Sequence, residues 1–366
     1  MDKVSNNDKI KELETEIANT KYNKATQHHV GLIKAKIAKL KEKQEARSGG
    51  GGGGDGYSVK KSGDATVILL GFPSVGKSSM LNILTNANSP VGAYEFTTLT
   101  VIPGTLHHKH AKIQILDVPG IVSGAASGRG RGKEVLAVIR NADLILVVVD
   151  ALQPQQYEKI LKEVFDTKVR INQRKPDVRI TKTSRGGIRI GKTVKLDMKD
   201  ETIIAMMKEF RLNNADILIR DKIDEDQLID VIEGNRSYIP AVTIVNKVDL
   251  LSKPQINKLK KKIHPDLFIS AHNKINTEKL KDVIFEKLDF MRIYLKEVNK
   301  KADMEEPLIV QSHFKVGDVC ARLHKDFKNK FKYVRLWGPS AKFPGQMFRK
   351  LDKQLQDKDV LEIHLK

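Results

Sequence analysis

Apolar residues follow three different spacings along the chain, and each spacing predicts a different kind of element. Between residues 9 and 45 they recur every three or four positions: Ile10, Leu13 and Ile17 on one face, then Val30, Ile33, Ile37 and Leu40 on another. That period belongs to amphipathic helices, and with residues 22 to 26 between the two faces it predicts a helical hairpin. From residue 65 the pattern changes to short unbroken apolar runs, at 65 to 70, 112 to 116 and 144 to 149. Such runs, separated by helical segments, are the mark of strands buried on both faces, and they predict a doubly wound α/β domain. The same kind of run resumes at 241 to 245 and 267 to 270, so one sheet is interrupted by residues 166 to 238. The interruption turns helical around 201 to 210 and 226 to 233 and predicts a small α+β module packed on that domain. Past residue 290, strand patterns at 291 to 295, 308 to 310, 333 to 337 and 360 to 365 surround one helical stretch near 316 to 327. Several strands around one helix in under 80 residues suggest a β-grasp domain.

The boundaries follow from these changes of period. Residues 1 to 48 form the helical segment, 49 to 60 a flexible linker with a run of six glycines from Gly49 to Gly54, and 61 to 165 the first part of the α/β domain. Residues 166 to 238 are the insertion, 239 to 289 the second part of the α/β domain, and 290 to 366 the C-terminal module. No apolar run approaches the length of a membrane span, since the longest, at 144 to 149, ends at Asp150. The N-terminus carries neither an apolar signal core nor an Arg-rich transit pattern. One cysteine, Cys320, leaves no intramolecular disulfide framework and no cysteine-only metal site, and no disulfide-linked partner is expected. That usage fits a reducing cytoplasm.

Charge adds a partner class. Lys and Arg number 65 against 45 Asp and Glu, a formal net charge of +20, which is the footprint of a protein that meets polyanions. Residues 166 to 200 hold eleven basic side chains against four acidic, and 315 to 353 eleven against three. The excess therefore lies largely outside the segments that carry the chemistry described next.

Gly71-Phe72-Pro73-Ser74-Val75-Gly76-Lys77-Ser78 follows the apolar run at 65 to 70 and precedes residues with helical spacing that begin at Ser79. In that context it reads as a phosphate-binding loop. Backbone N–H groups around Gly76 and the helix start would cradle phosphates, Lys77 would reach the β- and γ-phosphates, and the Ser78 hydroxyl would hold Mg²⁺. Asp117-Val118-Pro119-Gly120 ends the strand at 112 to 116. Its carboxylate can hold Mg²⁺ through water, and the Gly120 N–H can meet a γ-phosphate oxygen. Between these motifs lies Phe96-Thr97-Thr98, where Thr98, or Thr97 as the alternate, can supply a hydroxyl to Mg²⁺ when the γ-phosphate is present. Lys77, Thr98 and Gly120 are thus the expected catalytic groups, and Ser78, Thr98 and Asp117 the expected metal ligands.

Asn246-Lys247-Val248-Asp249 ends the strand at 241 to 245. The Asp249 carboxylate can accept both N–H donors of guanine, Asn246 supports the loop and the Lys247 stem covers the ring. Adenine presents the opposite polarity, the kind of mismatch that supports discrimination of roughly 10⁴ to 10⁵. Ser270-Ala271-His272 follows the last strand, and the Ala271 N–H would face the guanine O6. Ile121 stands after Gly120, where Ras-like enzymes have the Gln that orients the attacking water. Arg129 and Arg131 sit in the glycine-rich stretch beyond it, open to a role as an internal arginine finger or in contact with a partner or RNA. His107, His108 and His110 fall on a predicted hairpin and read as a surface turn rather than a metal site.

With these motifs placed, the chain resembles the developmentally regulated GTP-binding protein (DRG) family within the Obg group of translation-factor-like GTPases, and its spare N-terminus and glycine linker look closer to archaeal members. The resemblance covers nearly the whole chain. It rests on Asn23-Lys24-Ala25-Thr26, residues 32 to 40, the loop from Gly71 to Ser78, residues 94 to 99 and Gly128-Arg129-Gly130-Arg131-Gly132. Ile121 fits too, because that group uses a hydrophobic residue there. What the resemblance implies is an N-terminal helical domain, a P-loop GTPase domain interrupted by a ribosomal-protein-like insert, and a C-terminal TGS domain, together with a link to ribosomes and translation. Several K⁺-activated relatives carry Asn where this loop has Ser74, so K⁺ as a further cofactor does not carry over through that side chain. Eukaryotic members bind a dedicated stabilising protein partner, a point left open for this chain.

The expectation is a Mg²⁺-dependent enzyme hydrolysing GTP to GDP and phosphate at a slow intrinsic rate, acting as a switch on ribosomes or structured RNA. The alternative is a nucleotide-gated RNA- or ribosome-binding module with negligible hydrolysis, which multiple-turnover phosphate release would separate from the first. An ATP-hydrolysing cousin is disfavoured by the intact run from Asn246 to Asp249, and a tRNA-charging enzyme by the lack of a synthetase signature.

Overall fold

Six strands form the central sheet of the nucleotide-binding part, in the order Leu267–Phe268, Ala241–Asn246, Leu144–Asp150, Ala65–Leu70, Ala111–Asp117, Ile102–His108. All neighbours run parallel except Ile102–His108, which pairs antiparallel with Ala111–Asp117 as a hairpin. Ala65–Leu70, Leu144–Asp150 and Ala241–Asn246 are buried at every position, as strands covered on both faces must be. The computed structural model describes residues 6–48, 63–85, 102–118 and 138–366, and these divide into two units, residues 1–56 with 168–238 and residues 57–167 with 239–366.

In the unit that carries the central sheet, helices Lys77–Thr85 and Thr277–Lys287 pack their apolar sides on it through Met80, Leu81, Leu84, Leu280 and Ile284. The C-terminal module is a second sheet of five strands in the order Leu308–Gln311, Phe290–Leu295, Asp359–Leu365, Phe331–Trp337, Gln346–Phe348. Helix Val316–Leu323 covers one face of it through Val316, Val319 and Cys320, and a short helix, Phe327–Lys330, follows. The stretch predicted as one helix near 316 to 327 therefore breaks in two, where His324 adopts an extended backbone. Strand Gln346–Phe348 carries too few apolar residues to show in the sequence pattern. The two sheets of this unit are joined by Phe285 against Phe290, with ring centroids 5.6 Å apart, by Ile309 in the nucleotide-domain core, and by the Arg322–Asp64 ion pair at 2.9 Å.

In the other unit, helices Asn6–Asn19 and Gln27–Ser48 form the hairpin, closed by Ile10, Ile33 and Ile37. Its second helix also packs on the insertion: Ala35 belongs to the core made by helices Asp200–Glu209 and Glu225–Glu233 and by the sheet Val178–Lys182, Ala215–Ile219, Ile188–Lys192. Gly31 brings the backbone close to Met206 and Thr202, since a Cβ there would stand 3.2 Å from each. Polar ties fix the same interface: Tyr22 Oη donates to Glu225 Oε1 at 2.9 Å, and Lys34 pairs with Asp226 at 2.7 Å. Arg170 makes two hydrogen bonds to the Asp230 carboxylate, at 2.6 and 2.8 Å, and Arg236 a third at 2.7 Å, all in a buried setting. Such a cluster resists loss of one member, because the remaining charge would be left uncompensated.

Candidate nucleotide site

Strand Ala65–Leu70 is the switch point of the central sheet: the chain goes on to Ile102–His108 and Ala111–Asp117 on one side and later to Leu144–Asp150 on the other. A crevice at the C-terminal ends of the strands is expected there, where open α/β sheets bind ligands. The loop after Leu70 fills it. Gly71 runs so close to the next strand that a Cβ would lie 2.5 Å from the Val148 carbonyl oxygen. Ser74 and Gly76 both take positive φ, 62° and 94°, and Val75 between them is buried. At Gly76 a Cβ would stand 2.4 Å from Asn246 Nδ2, so glycine is required by close approach as well as by φ. Phe72 packs against the core, whereas Pro73, Ser74, Ser78 and Ser79 are exposed.

Helix Lys77–Thr85 begins at the end of this loop, with Lys77 as its first residue. Its unpaired N–H groups and the positive end of its dipole face the loop, an arrangement suited to an anion. The Lys77 ammonium donates to the carbonyls of Gly71 at 3.0 Å and Phe72 at 2.9 Å. Burial pushes it below the usual lysine range, opposed by the nearby Asp117 carboxylate.

Asp117 closes strand Ala111–Asp117 and is buried, as is Val118 after it. Its Oδ2 accepts from Ser78 Oγ at 3.1 Å, and its Oδ1 is buried with no hydrogen-bond partner among the described residues. A buried carboxylate oxygen with no donor beside a serine hydroxyl is a set of hard oxygen ligands, and it fits a divalent cation such as Mg²⁺. Phe96, Thr97, Thr98, Pro119, Gly120, Ile121, Arg129 and Arg131 lie outside the described residues.

The base side is organised by Asn246, which is buried at the end of its strand. Its Nδ2 donates to the Val75 carbonyl at 2.8 Å, and its Oδ1 accepts the Ala271 N–H at 3.0 Å. One side chain thus ties the phosphate-type loop to both loops after the last two strands. Lys247 takes a left-handed φ of 65° and pairs with Asp150 at 2.7 Å. The Val248 N–H donates to the Ile269 carbonyl, and Asp249 projects exposed from the single turn Val248–Leu250. Ser270 is buried and accepts the Asn273 N–H at 3.1 Å, Ala271 is buried and His272 is exposed. The structure thereby brings Gly71, Val75, Gly76, Asn246 and Ala271 together, with Lys77, Ser78 and Asp117 on the phosphate side. Sequence reasoning missed Asp150 as a site residue. Its signal was present: a carboxylate ending the strand that pairs, Asp150 opposite Asn246, with the base-reading strand.

Three family descriptions match in succession: "50S ribosome-binding GTPase" over residues 66–182, "C-terminal region of MMR_HSR1 domain" over 185–290 and "TGS domain" over 291–365. An uncharacterized GTP-binding protein of Methanocaldococcus jannaschii is 50% identical over 364 residues, spanning 98% of this chain and 93% of its own length. Developmentally-regulated G-protein 3 of Arabidopsis thaliana is 45% identical, spanning 97% of each chain. Developmentally-regulated GTP-binding protein 2 of Homo sapiens is 39% identical, spanning 97% of this chain and 98% of its own. This chain belongs to the developmentally regulated GTP-binding protein family. As a member of that family it is a GTP-binding GTPase with a P-loop domain, an extension and a C-terminal TGS domain. For this DRG protein the histidines before residue 111 are a separate matter: His108 Nε2 lies 2.9 Å from Asp282 Oδ1, on the hairpin turn, away from the loops just described. Among the described residues no helix is long and apolar enough to cross a membrane.

Proposed function

We propose that this DRG protein is a Mg²⁺-dependent, slowly turning over GTPase that acts in the cytoplasm as a switch on ribosomes or structured RNA. The observation that carries the guanine-nucleotide part is the double hydrogen bonding of Asn246 to Val75 and Ala271, because it holds the phosphate loop and the base loops in one fixed relation. In this reading the backbone of Gly71 to Ser79 wraps the phosphates, and Lys77 leaves its carbonyl partners for the β- and γ-phosphate oxygens. Asp249 reads the guanine N–H donors, with Lys247 held over the ring by Asp150 and the turn Ser270 to His272 closing the purine edge. Ser78, Asp117 and Thr98 would hold Mg²⁺, which when bound neutralises charge developing on the phosphates. Phe96, Thr97, Val118, Pro119 and Gly120 complete the pocket in the same reading, Gly120 through its N–H.

Intrinsic turnover is expected near the ~10⁻⁴ to 10⁻² s⁻¹ scale of GTPases that wait for help, since Ile121 offers no group to orient water. The ribosome or RNA part is supported by the +20 net charge and by the family description of residues 66–182. Cosedimentation with ribosomes in GTP, GDP and a non-hydrolysable analogue tests the switch: equal binding in all three states would remove it. Phosphate release under multiple turnover, compared in K⁺ and Na⁺, tests hydrolysis and tells whether K⁺ belongs among the cofactors despite Ser74.

A further inference from the structure

The C-terminal sheet has one face under helix Val316–Leu323 and a second face that the helix does not touch. Along strand Phe331–Trp337, Val334 and Leu336 point into the core, so Tyr333, Arg335 and Trp337 lie on the second face. The neighbouring strands continue it. His364 sits opposite Tyr333, Glu362 opposite Arg335, Val360 opposite Trp337, and Met347 opposite Arg335 on the other side. Tyr333 and His364 stack, with centroids 4.2 Å apart and planes 18° off parallel. Lys296 Nζ stands 4.7 Å over the Trp337 indole. Tyr333 and Trp337, both partly exposed, are four residues apart on one strand, about 13 Å. Between them Arg335 is exposed and makes no ion pair among the described residues.

Charge chooses the kind of occupant. From Ala321 to Lys350 the chain carries nine basic side chains and one carboxylate, Asp326, and the one carboxylate on the face itself, Glu362, is buried and held by Lys296 and His364. A protein-binding face of the ordinary kind is depleted in charge at its centre. Here an arginine with no ion pair among the described residues lies between the stacked Tyr333–His364 pair and the indole under Lys296, a combination suited to bases stacked on rings with phosphates held by cations. Duplex RNA cannot use it, because its bases are already stacked and its deep groove admits no side chains.

We infer that the helix-free face of the C-terminal sheet binds single-stranded RNA, with unpaired bases stacking on Tyr333 and His364 beside Trp337 and with a phosphate on Arg335. This rests on the RNA-partner reading above and sharpens it from charge to a defined surface and a defined form of RNA. Trp337 is the only tryptophan of the chain, so intrinsic fluorescence of the full-length protein reports on this face directly.

The test titrates the full chain with an unstructured 12-nucleotide RNA and with a blunt 12-base-pair RNA duplex at several salt concentrations, reading Trp337 fluorescence and anisotropy of labelled RNA. The single strand should bind more tightly and change Trp337 emission. Tyr333→Leu, which keeps an apolar side chain in the pair position, should weaken it by roughly 5- to 100-fold with the salt slope unchanged, because stacking releases no counterions. Arg335→Ala should reduce the slope of log affinity against log salt by about 0.7. An unchanged near-ultraviolet circular dichroism spectrum and melting temperature in both variants would show that the C-terminal sheet is intact. Duplex bound as well as single strand with silent Trp337 emission, or full single-strand affinity in Tyr333→Leu, would overturn the assignment of this face and leave the wider RNA reading standing. No binding of either RNA at any salt would remove both.

Discussion

The two sheets of one unit differ in how they are covered, and the difference decides where each can present chemistry. The central sheet is parallel apart from its edge hairpin, and its inner strands are buried on both faces, so no side chain in the middle of a strand can meet a ligand. Its polar groups gather instead at the C-terminal ends: Asp117, Asp150 and Asn246 each close a strand and each is buried. The C-terminal sheet has its helix Val316–Leu323 on one face, and on the other Tyr333, Arg335 and Trp337 stand at alternate positions of a strand interior. A fully sandwiched sheet builds a pocket at its rim from loops that must be tied together, as Asn246 ties them. A half-covered sheet offers a broad surface whose register comes free with the strand.

The sharpest break of this contrast is at the rim. Asp249→Asn should lower GTP affinity by on the order of 10⁴, the scale of a site built on hydrogen bonds, while xanthosine triphosphate, which offers a carbonyl to the new amide, should gain. Calorimetry with both nucleotides checks it, and GTP affinity left unchanged would take Asp249 out of the site. Next is Gly76→Ala. The added methyl meets Asn246 Nδ2, and φ is 94°. Strain of about 1–3 kcal/mol plus a lost buried hydrogen bond of about 1 kcal/mol should weaken nucleotide binding about 10²-fold. Gly71→Ala should act in the same direction, through the Val148 carbonyl.

Strand interiors should divide the two sheets by stability. Ile145→Ala, fully buried in the central sheet, should cost about 2–5 kcal/mol in denaturant unfolding. Arg335→Ala on the open face should change stability by no more than about 0.5 kcal/mol. Similar losses at the two positions would mean that the open face is packed. The smallest effect concerns pH. Burial would raise the Asp357 carboxyl, but the side chain and backbone N–H of Arg292 more than reverse this and hold it below the usual carboxylate range. A depressed folded pKa gives stability that is present above the unfolded value and fades as pH falls through the folded one. The C-terminal sheet should therefore lose a few tenths of a kcal/mol on acidification, the scale of a pair still partly open to solvent, and Asp357→Asn should flatten that slope in thermal melts.

Much of the central sheet was legible because unbroken apolar runs have few other uses. The runs at 65 to 70, 112 to 116, 144 to 149 and 241 to 245 each became a strand within a residue or so at either end. The last run, at 267 to 270, kept only Leu267–Phe268 as strand, since Ser270 turns back to bridge with Ile275. On the candidate site, glycine spacing and the Asn-Lys-Val-Asp run named the loops but not their ties. That Gly76 faces Asn246, and that Lys247 reaches Asp150, are contacts across 170 and 97 positions, and no local spacing encodes them. The partnership of the N-terminal hairpin was hidden for a similar reason. The helical period of residues 27 to 48 says that one side is apolar, not that Ala35 will meet Met206 and Ile219.

That partnership sets a timetable for the chain as it is made. His28 meets Thr202 across 174 positions and Lys39 meets Glu209 across 170, so the hairpin is synthesised long before the surface that completes it. At about 5–20 residues per second, its second helix waits roughly 10–35 s with only the small Ile10, Ile33 and Ile37 cluster to shelter it. During that interval the growing chain is an unfinished interface, and it is the stage at which a chaperone or a slowed ribosome would have most to gain.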